Sequence, residues 1–264
     1  MHTQLDLVTD RIESLTAPPT FLVLQHVVCE PPGAYEDELI ARGARICRVQ
    51  LGEGEQPPGD WASFAGIIAM GGPMGAYDGE LHPWLLAERA LIRQAVDAGV
   101  PYWGVCLGAQ LLAASFGGSV EPGAAPEIGV LEVTLAEAAA ADPVFGGAPP
   151  SFAALQWHSD TYELPAGAVR LASSTAYPEQ AFRIRNAYAL QFHLEVPEDL
   201  LEEWGELPAY ARSLETALGP GSLARLVSDW RATAPATLAL ARNLFGAWLE
   251  EVVGLPVLSG DRAA

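Results

Sequence analysis

Three stretches of the sequence set reactive side chains at spacings that a folded chain can use. The first is Gly104-Val105-Cys106-Leu107-Gly108, which sits between the apolar run Val100 to Trp103 and the helix-forming run that follows. It reads as a short strand, a sharp turn and a helix, with a potential nucleophile at the apex and a glycine two residues to either side. A strand that turns at once into a helix strains its apex residue, and side chains two positions away would clash. The turn leaves Cys106 at a helix N-terminus, where exposed N–H groups and the macrodipole favour an anion. The N–H of Leu107 then points towards any oxyanion that forms beside the sulfur. An isolated cysteine is most often a buried, inert core residue; the flanking glycines and the strand–turn–helix pattern separate this one from that case.

The second stretch is Gln191-Phe192-His193-Leu194-Glu195, at the end of the last strand predicted. Residues two apart in a strand face the same side, so His193 and Glu195 are expected to point together. A carboxylate holding one imidazole nitrogen leaves the other free to act on a thiol. The third stretch is Gly71-Gly72-Pro73-Met74-Gly75-Ala76, directly after a buried strand. Such a loop serves phosphate binding, oxyanion binding or a plain turn, and without a Gly-Lys-Ser/Thr ending it is not a nucleotide loop. Gln156-Trp157-His158-Ser159-Asp160 is a further polar cluster at a strand end. His158 there competes with His193 for the role of base, with a structural or specificity role preferred. His26 and His82 read as structural or partner-facing.

The elements that must carry these groups follow in chain order. Strands are expected at Phe21–Gln25, Ile46–Leu51 and Gly66–Met70. A helix over Tyr35–Arg42, with Leu39 and Ile40 inward, separates the first two. A helix over Leu85–Ala98 precedes the cysteine strand. This alternation predicts an α/β fold, a mostly parallel open sheet with helices on both faces, and ligands in such sheets sit at the C-terminal strand ends. Short strands at Ile128–Leu135, Phe152–Trp157, Val169–Ser173, Ala181–Ile184 and Tyr188–Phe192 then add antiparallel members. Helices are expected over Glu198–Leu218 and Ser222–Val253. The implied organisation is an arm over 1–20, a catalytic domain over 21–197 and a C-terminal helical extension over 198–264, with a frayed tail from Ser259.

Composition narrows the function. The 264 residues carry a net charge of −19, and all 14 Lys and Arg residues are arginine. That argues against nucleic-acid and anionic-membrane partners. No apolar run is long enough to span a membrane and no signal peptide is evident, so a cytoplasmic protein is expected. Three cysteines without a Cys-x-x-Cys pairing argue against a disulfide frame or structural zinc, and Cys29 and Cys47 read as structural. No metal and no cofactor is expected.

The segments Met70–Gly75, Gly104–Gln110, Trp157–Asp160 and Gln191–Glu195 together resemble the class I, triad-type glutamine amidotransferases, most closely the stand-alone proteins similar to the glutaminase domain of GMP synthase. The resemblance implies Cys106 as nucleophile, His193 as base and acid, Glu195 as its orienter, and the N–H groups of Gly72 and Leu107 as the oxyanion hole. It places Gly71, Gln110 and His158 around the substrate. Leu194 stands where many members have proline, which bears on subfamily more than on chemistry. The activity implied is hydrolysis of the side-chain amide of glutamine through a γ-glutamyl thioester, with ammonia passed to an acceptor. Neither an ATP-pyrophosphatase loop nor a Walker A segment occurs in the sequence, so the acceptor site is expected on another chain, a synthetase subunit, or is absent. The alternative is a γ-glutamyl peptidase acting on γ-glutamyl peptides or amines with the same triad; a non-catalytic interaction protein is the third reading. The C-terminal helices are left to cover the site, form a homodimer surface or dock a synthetase.

Overall fold

A computed structural model describes residues 18–257. The arm expected over 1–20 falls outside the described residues up to residue 17, as does the tail from residue 258. Nine strands form one sheet. Its parallel part runs β2 (Arg45–Gln50), β1 (Thr20–Gln25), β3 (Gly66–Ala69), β4 (Tyr102–Val105) and β9 (Ala187–Leu190). From β9 the sheet continues antiparallel through β8 (Ala181–Ile184), β7 (Val169–Ser173), β5 (Val120–Leu135) and β6 (Ser151–Tyr162). This is the α/β sheet expected from the alternation, with antiparallel strands added and helices on both faces.

The continuous apolar runs of β1, β3 and β4 are buried on both faces, and the two-residue period sorts their side chains. Phe21, Val23, Ile68, Trp103 and Val105 pack with α1 (Ala34–Ala41) and α6 (Ser222–Trp248), through Tyr35, Leu39, Phe245 and Trp248. Leu22, Leu24, Ile67, Ala69 and Tyr102 pack on the other side with α2 (Trp84–Asp97) and α3 (Leu107–Ser115). A third cluster joins Ile128, Leu155 and Trp157 of the sheet to α4 (Leu200–Glu206), α5 (Pro208–Leu218) and the start of α6. No helix of the described residues is long and apolar enough to cross a membrane.

Several sequence expectations need correction. Ile40 is 60% exposed. Tyr35 and Leu39, four residues apart, already fill the narrow inward face of the short helix α1, and Ile40 lies a further ~100° round. The helix expected over Glu198–Leu218 is two helices, parted at Leu207, which is extended at φ −69° and ψ 124°. The next residue is Pro208, whose ring disfavours the helical region for the residue before it. Strand β9 stops at Leu190 rather than Phe192, so strand alternation does not align His193 with Glu195. His193 instead exchanges two backbone hydrogen bonds with Leu155 of β6, at 2.8 and 3.1 Å.

The helix α6 belongs to the core. Trp248 is fully buried, with its ring 5.7 Å from Trp103 and 5.2 Å from Phe245. Trp248→Ala is expected to cost about 3–5 kcal/mol in urea denaturation. A loss below about 1 kcal/mol would contradict the placement of this helix in the core.

Candidate active site

Cys106 stands between β4 and α3 with φ 52° and ψ −105°, a conformation that side-chain-bearing residues rarely adopt. Close packing explains the flanking glycines. A Cβ on Gly104 would sit 2.7 Å from the Gly108 carbonyl oxygen, and one on Gly108 would collide with the Ala69 carbonyl. The Cys106 N–H donates to Leu190 O of β9 at 2.7 Å and the Gly108 N–H to Met70 O at 3.1 Å. The Tyr102 hydroxyl donates to the Gly108 carbonyl at 2.8 Å. The turn is therefore tied to the C-terminal ends of both neighbouring strands. Among the described residues, neither the Leu107 N–H nor the Gly72 N–H has a hydrogen-bond acceptor.

His193 and Glu195 lie after β9, each 1% exposed. His193 Nδ1 is 2.7 Å from Glu195 Oε1. The other carboxylate oxygen accepts the Leu194 N–H at 2.9 Å, and the Glu195 carbonyl accepts the Ala34 N–H at 3.0 Å. The backbone bridge to Leu155 and the anchor on α1 thus fix this segment where a regular strand has ended. Burial alone would push the His193 pKa down. The Glu195 charge and hydrogen bond, with the neighbouring Cys106 sulfur, outweigh it and hold the imidazole well above its ordinary value. The His193 ring meets Trp204 of α4 edge to face, with ring centroids 4.9 Å apart and planes at 74°.

Cys106 opens into a cavity of about 260 Å³, whose walls include Gly72, Gln110, Trp157, His158 and Tyr210. Gln110 donates to Gln191 Oε1 at 3.1 Å, and Gln191 Nε2 lies 3.6 Å from Cys106 Sγ. His158 has both ring nitrogens engaged, Nδ1 with the Asp160 carbonyl at 2.9 Å and Nε2 with Glu127 at 3.1 Å. Glu127 also accepts from Ser174 and Gln180. These bonds outweigh burial and lower the Glu127 pKa. His158 therefore has no nitrogen left over for a thiol, whereas His193 has one ring nitrogen without a carboxylate. Gly71 stands behind Gly72, and its carbonyl faces His26 Nδ1 at 3.0 Å.

Two groups at the site escaped the sequence reading. Glu30, in the loop after β1, is 2% exposed and lies against Gly71, which the His193 ring also approaches. Its carboxylate accepts the hydroxyl of Tyr210. An acid just past a parallel strand's C-terminal end was the available signal, masked by the Pro31-Pro32-Gly33 loop beside it. Tyr210 comes from α5, and Ser213 one turn on accepts the Trp157 indole N–H at 3.0 Å. Local sequence gave no signal for Tyr210. Of the three roles left to the C-terminal helices, α5 takes the first: it forms a wall of the cavity.

The glutamine amidotransferase class-I family model matches residues 38–202. The chain is 34% identical over 189 residues to a glutamine-hydrolysing GMP synthase of Thermomicrobium roseum, covering 67% of this chain and 33% of that protein. It is 32% identical over 181 residues to YfeJ, a glutamine amidotransferase-like protein of Salmonella typhimurium, covering 67% of this chain and 76% of YfeJ. The crystal structure of a glutamine amidotransferase from Thermotoga maritima superposes with a TM-score of 0.79 at 29% identity, covering 90% of this chain and 99% of that one. The chain thus spans about a third of the GMP synthase it matches and most of the two shorter proteins.

The contacts of Glu30 make a test. Burial, opposed by His193 and the Tyr210 hydrogen bond, raises its carboxyl above the ordinary 4.5. Between 4.5 and that raised value the folded chain keeps a proton that the unfolded chain has lost, so stability falls as pH rises through the window. Glu30→Gln keeps an acceptor for Tyr210 and removes the titration. The variant is expected to gain on the wild type in melting temperature as pH is stepped upward from 4.5. A gap that stays constant with pH would contradict the buried, proton-retaining carboxyl.

Proposed function

Since the chain belongs to the class I glutamine amidotransferase family, we propose that it hydrolyses the side-chain amide of glutamine through a γ-glutamyl thioester on Cys106. The observation that carries this reading is the set Cys106, His193 and Glu195: a cysteine on a strained elbow, and a histidine beside it whose far nitrogen is held by a buried carboxylate.

Each step follows from these groups. Cys106 Sγ adds to the amide carbon as its proton passes to His193. The amide oxygen becomes an oxyanion between the Leu107 and Gly72 N–H groups, which have no other acceptor among the described residues. A donor of this kind is worth about 2.7–4 kcal/mol in acyl transfer. The intermediate collapses as its C–N bond breaks, and His193 returns the proton to the departing nitrogen, releasing ammonia and leaving the thioester. Water, deprotonated by His193, then adds to the thioester carbon and frees glutamate and the thiol. Glu195 holds the imidazole by Nδ1 so that its other nitrogen faces the reaction. Gln110 and His158 in the cavity wall, with Gly71 behind it, position the substrate.

The T. roseum relative is named for the synthesis of GMP with glutamine hydrolysis. The 264 residues of this chain hold no ATP-pyrophosphatase or Walker A loop. The ammonia acceptor is therefore assigned to a site outside them, on a synthetase partner.

Purified protein should release glutamate and ammonia from glutamine, and Cys106→Ala and His193→Ala should each lower kcat at least about a thousandfold. Glutathione and γ-glutamyl amines, assayed in parallel, should turn over more slowly than glutamine. A Cys106→Ala variant with wild-type glutaminase activity would remove the mechanism. Preference for γ-glutamyl peptides would turn the assignment to a peptidase.

A further inference from the structure

A third histidine–carboxylate pair, besides His193–Glu195 and His158–Glu127, lies beneath the Gly71-Gly72 loop, and the steps above do not use it. His26 follows β1, Glu88 lies on α2, and both are completely buried. His26 Nε2 is 3.1 and 3.0 Å from the two Glu88 oxygens, and Nδ1 is 3.0 Å from the Gly71 carbonyl oxygen. The ring stacks on Trp84, with centroids 5.5 Å apart and planes 18° apart. The Gly71 carbonyl can only accept, so Nδ1 carries a proton, and Nε2 faces the Glu88 carboxyl. Burial by itself would favour the neutral ring; the charge and hydrogen bond of Glu88, with Gly71 and Glu30, outweigh it and raise the His26 pKa. Such a buried ion pair is seldom more stabilising than apolar side chains of the same volume. Its place in the fold supplies a reason for it.

The Gly71 carbonyl and the Gly72 N–H are opposite ends of one planar trans peptide. Fixing the oxygen fixes the direction of the N–H. Gly72 lines the cavity beside Cys106. A Cβ at Gly72 would sit 2.9 Å from His26 Cβ and 3.2 Å from Leu107 Cδ2, so this peptide is held between His26 and the residue after the cysteine. A donor on a carbonyl oxygen also polarises the amide and strengthens its N–H as a donor.

We propose that the His26–Glu88 pair is the positioning device of the oxyanion hole: His26 Nδ1–H holds the Gly71 carbonyl, Glu88 holds His26, and the Gly72 N–H is thereby aimed at the oxygen that becomes negative. This rests on the reading of Cys106 as the nucleophile of an amide hydrolysis.

Two substitutions separate positioning from packing. His26→Asn puts an amide nitrogen where Nδ1 stands, keeping the Gly71 bond and giving up Glu88. His26→Gln reaches Glu88 and gives up Gly71. Steady-state glutamine hydrolysis by the full chain is measured beside the rate at which iodoacetamide alkylates Cys106, a displacement that forms no oxyanion. His26→Gln is expected to lower kcat roughly 10- to 100-fold, with KM within about threefold of wild type and alkylation unchanged. His26→Asn is expected to recover kcat to within about fivefold of wild type. Equal losses in the two variants, a greater loss in the Asn variant, or slowed alkylation would overturn the proposal. Should the Gln variant fail to fold, a 10- to 100-fold fall in the folded Asn variant would do the same. Wild-type turnover with a fully active Gln variant removes this inference alone, whereas a wild type that hydrolyses neither glutamine nor a γ-glutamyl amide removes the proposed reaction and this inference with it.

Discussion

At φ 52° and ψ −105° the backbone of Cys106 is in a conformation costing about 1–3 kcal/mol for a side-chain-bearing residue, and the surrounding structure has to hold it there. Three contacts do so. The Cys106 N–H is bonded to the end of β9, the Gly108 N–H to Met70 past the end of β3, and the Gly108 carbonyl to the Tyr102 hydroxyl. Each contact needs a strand in register on one side of β4 or a helix packed hard against the sheet. The parallel register of β3, β4 and β9 and the glycine-tight docking of α3 on Ala69 are therefore conditions for the elbow. The elbow in turn turns the sulfur towards the cavity and leaves the Leu107 N–H beside it without an acceptor among the described residues.

The rest of the site is assembled against that fixed point by elements far apart in sequence. His193 arrives on a segment that has left its strand, pinned by the backbone bridge to Leu155, while Ala34 of α1 anchors Glu195. The Gly71-Gly72 loop rests on His26 and Glu88 from below. The helices α4 and α5 close the site from above, Trp204 against the His193 ring and Tyr210 against Glu30. Buried carboxyls thus approach the loop and the histidine from the segment after β1, from α2 and from the segment after β9. That crowding is tolerable only because each carboxyl meets a donor: Tyr210, His26, and the His193 ring with the Leu194 N–H.

Much of this was legible in the sequence because it depends on short-range pattern. The order of strands and helices up to α3 followed from buried apolar runs and glycine stops, and Cys106 stood out because a strand–turn–helix needs glycines two residues to either side. The His-x-Glu pair was legible in identity, though for another geometric reason: both side chains reach one place because a bridge and an anchor hold an irregular segment. Ile40 and the break at Leu207 show the limits of reading periodicity without the partner surface, although Pro208 marked the second in advance. The wall formed by α5 and the pairing of His26 with Glu88 over 62 positions of sequence depend on tertiary packing, for which local sequence holds no signal.

The most direct test of the central claim is to trap the covalent intermediate. Wild-type protein turning over glutamine labelled in its carbon skeleton would be quenched in acid, and the peptide carrying Cys106 examined by mass spectrometry. A labelled glutamyl group is expected on Cys106, released as glutamate when the thioester is cleaved with hydroxide. Steady formation of glutamate with Cys106 unlabelled, or with the label on another residue, would contradict it.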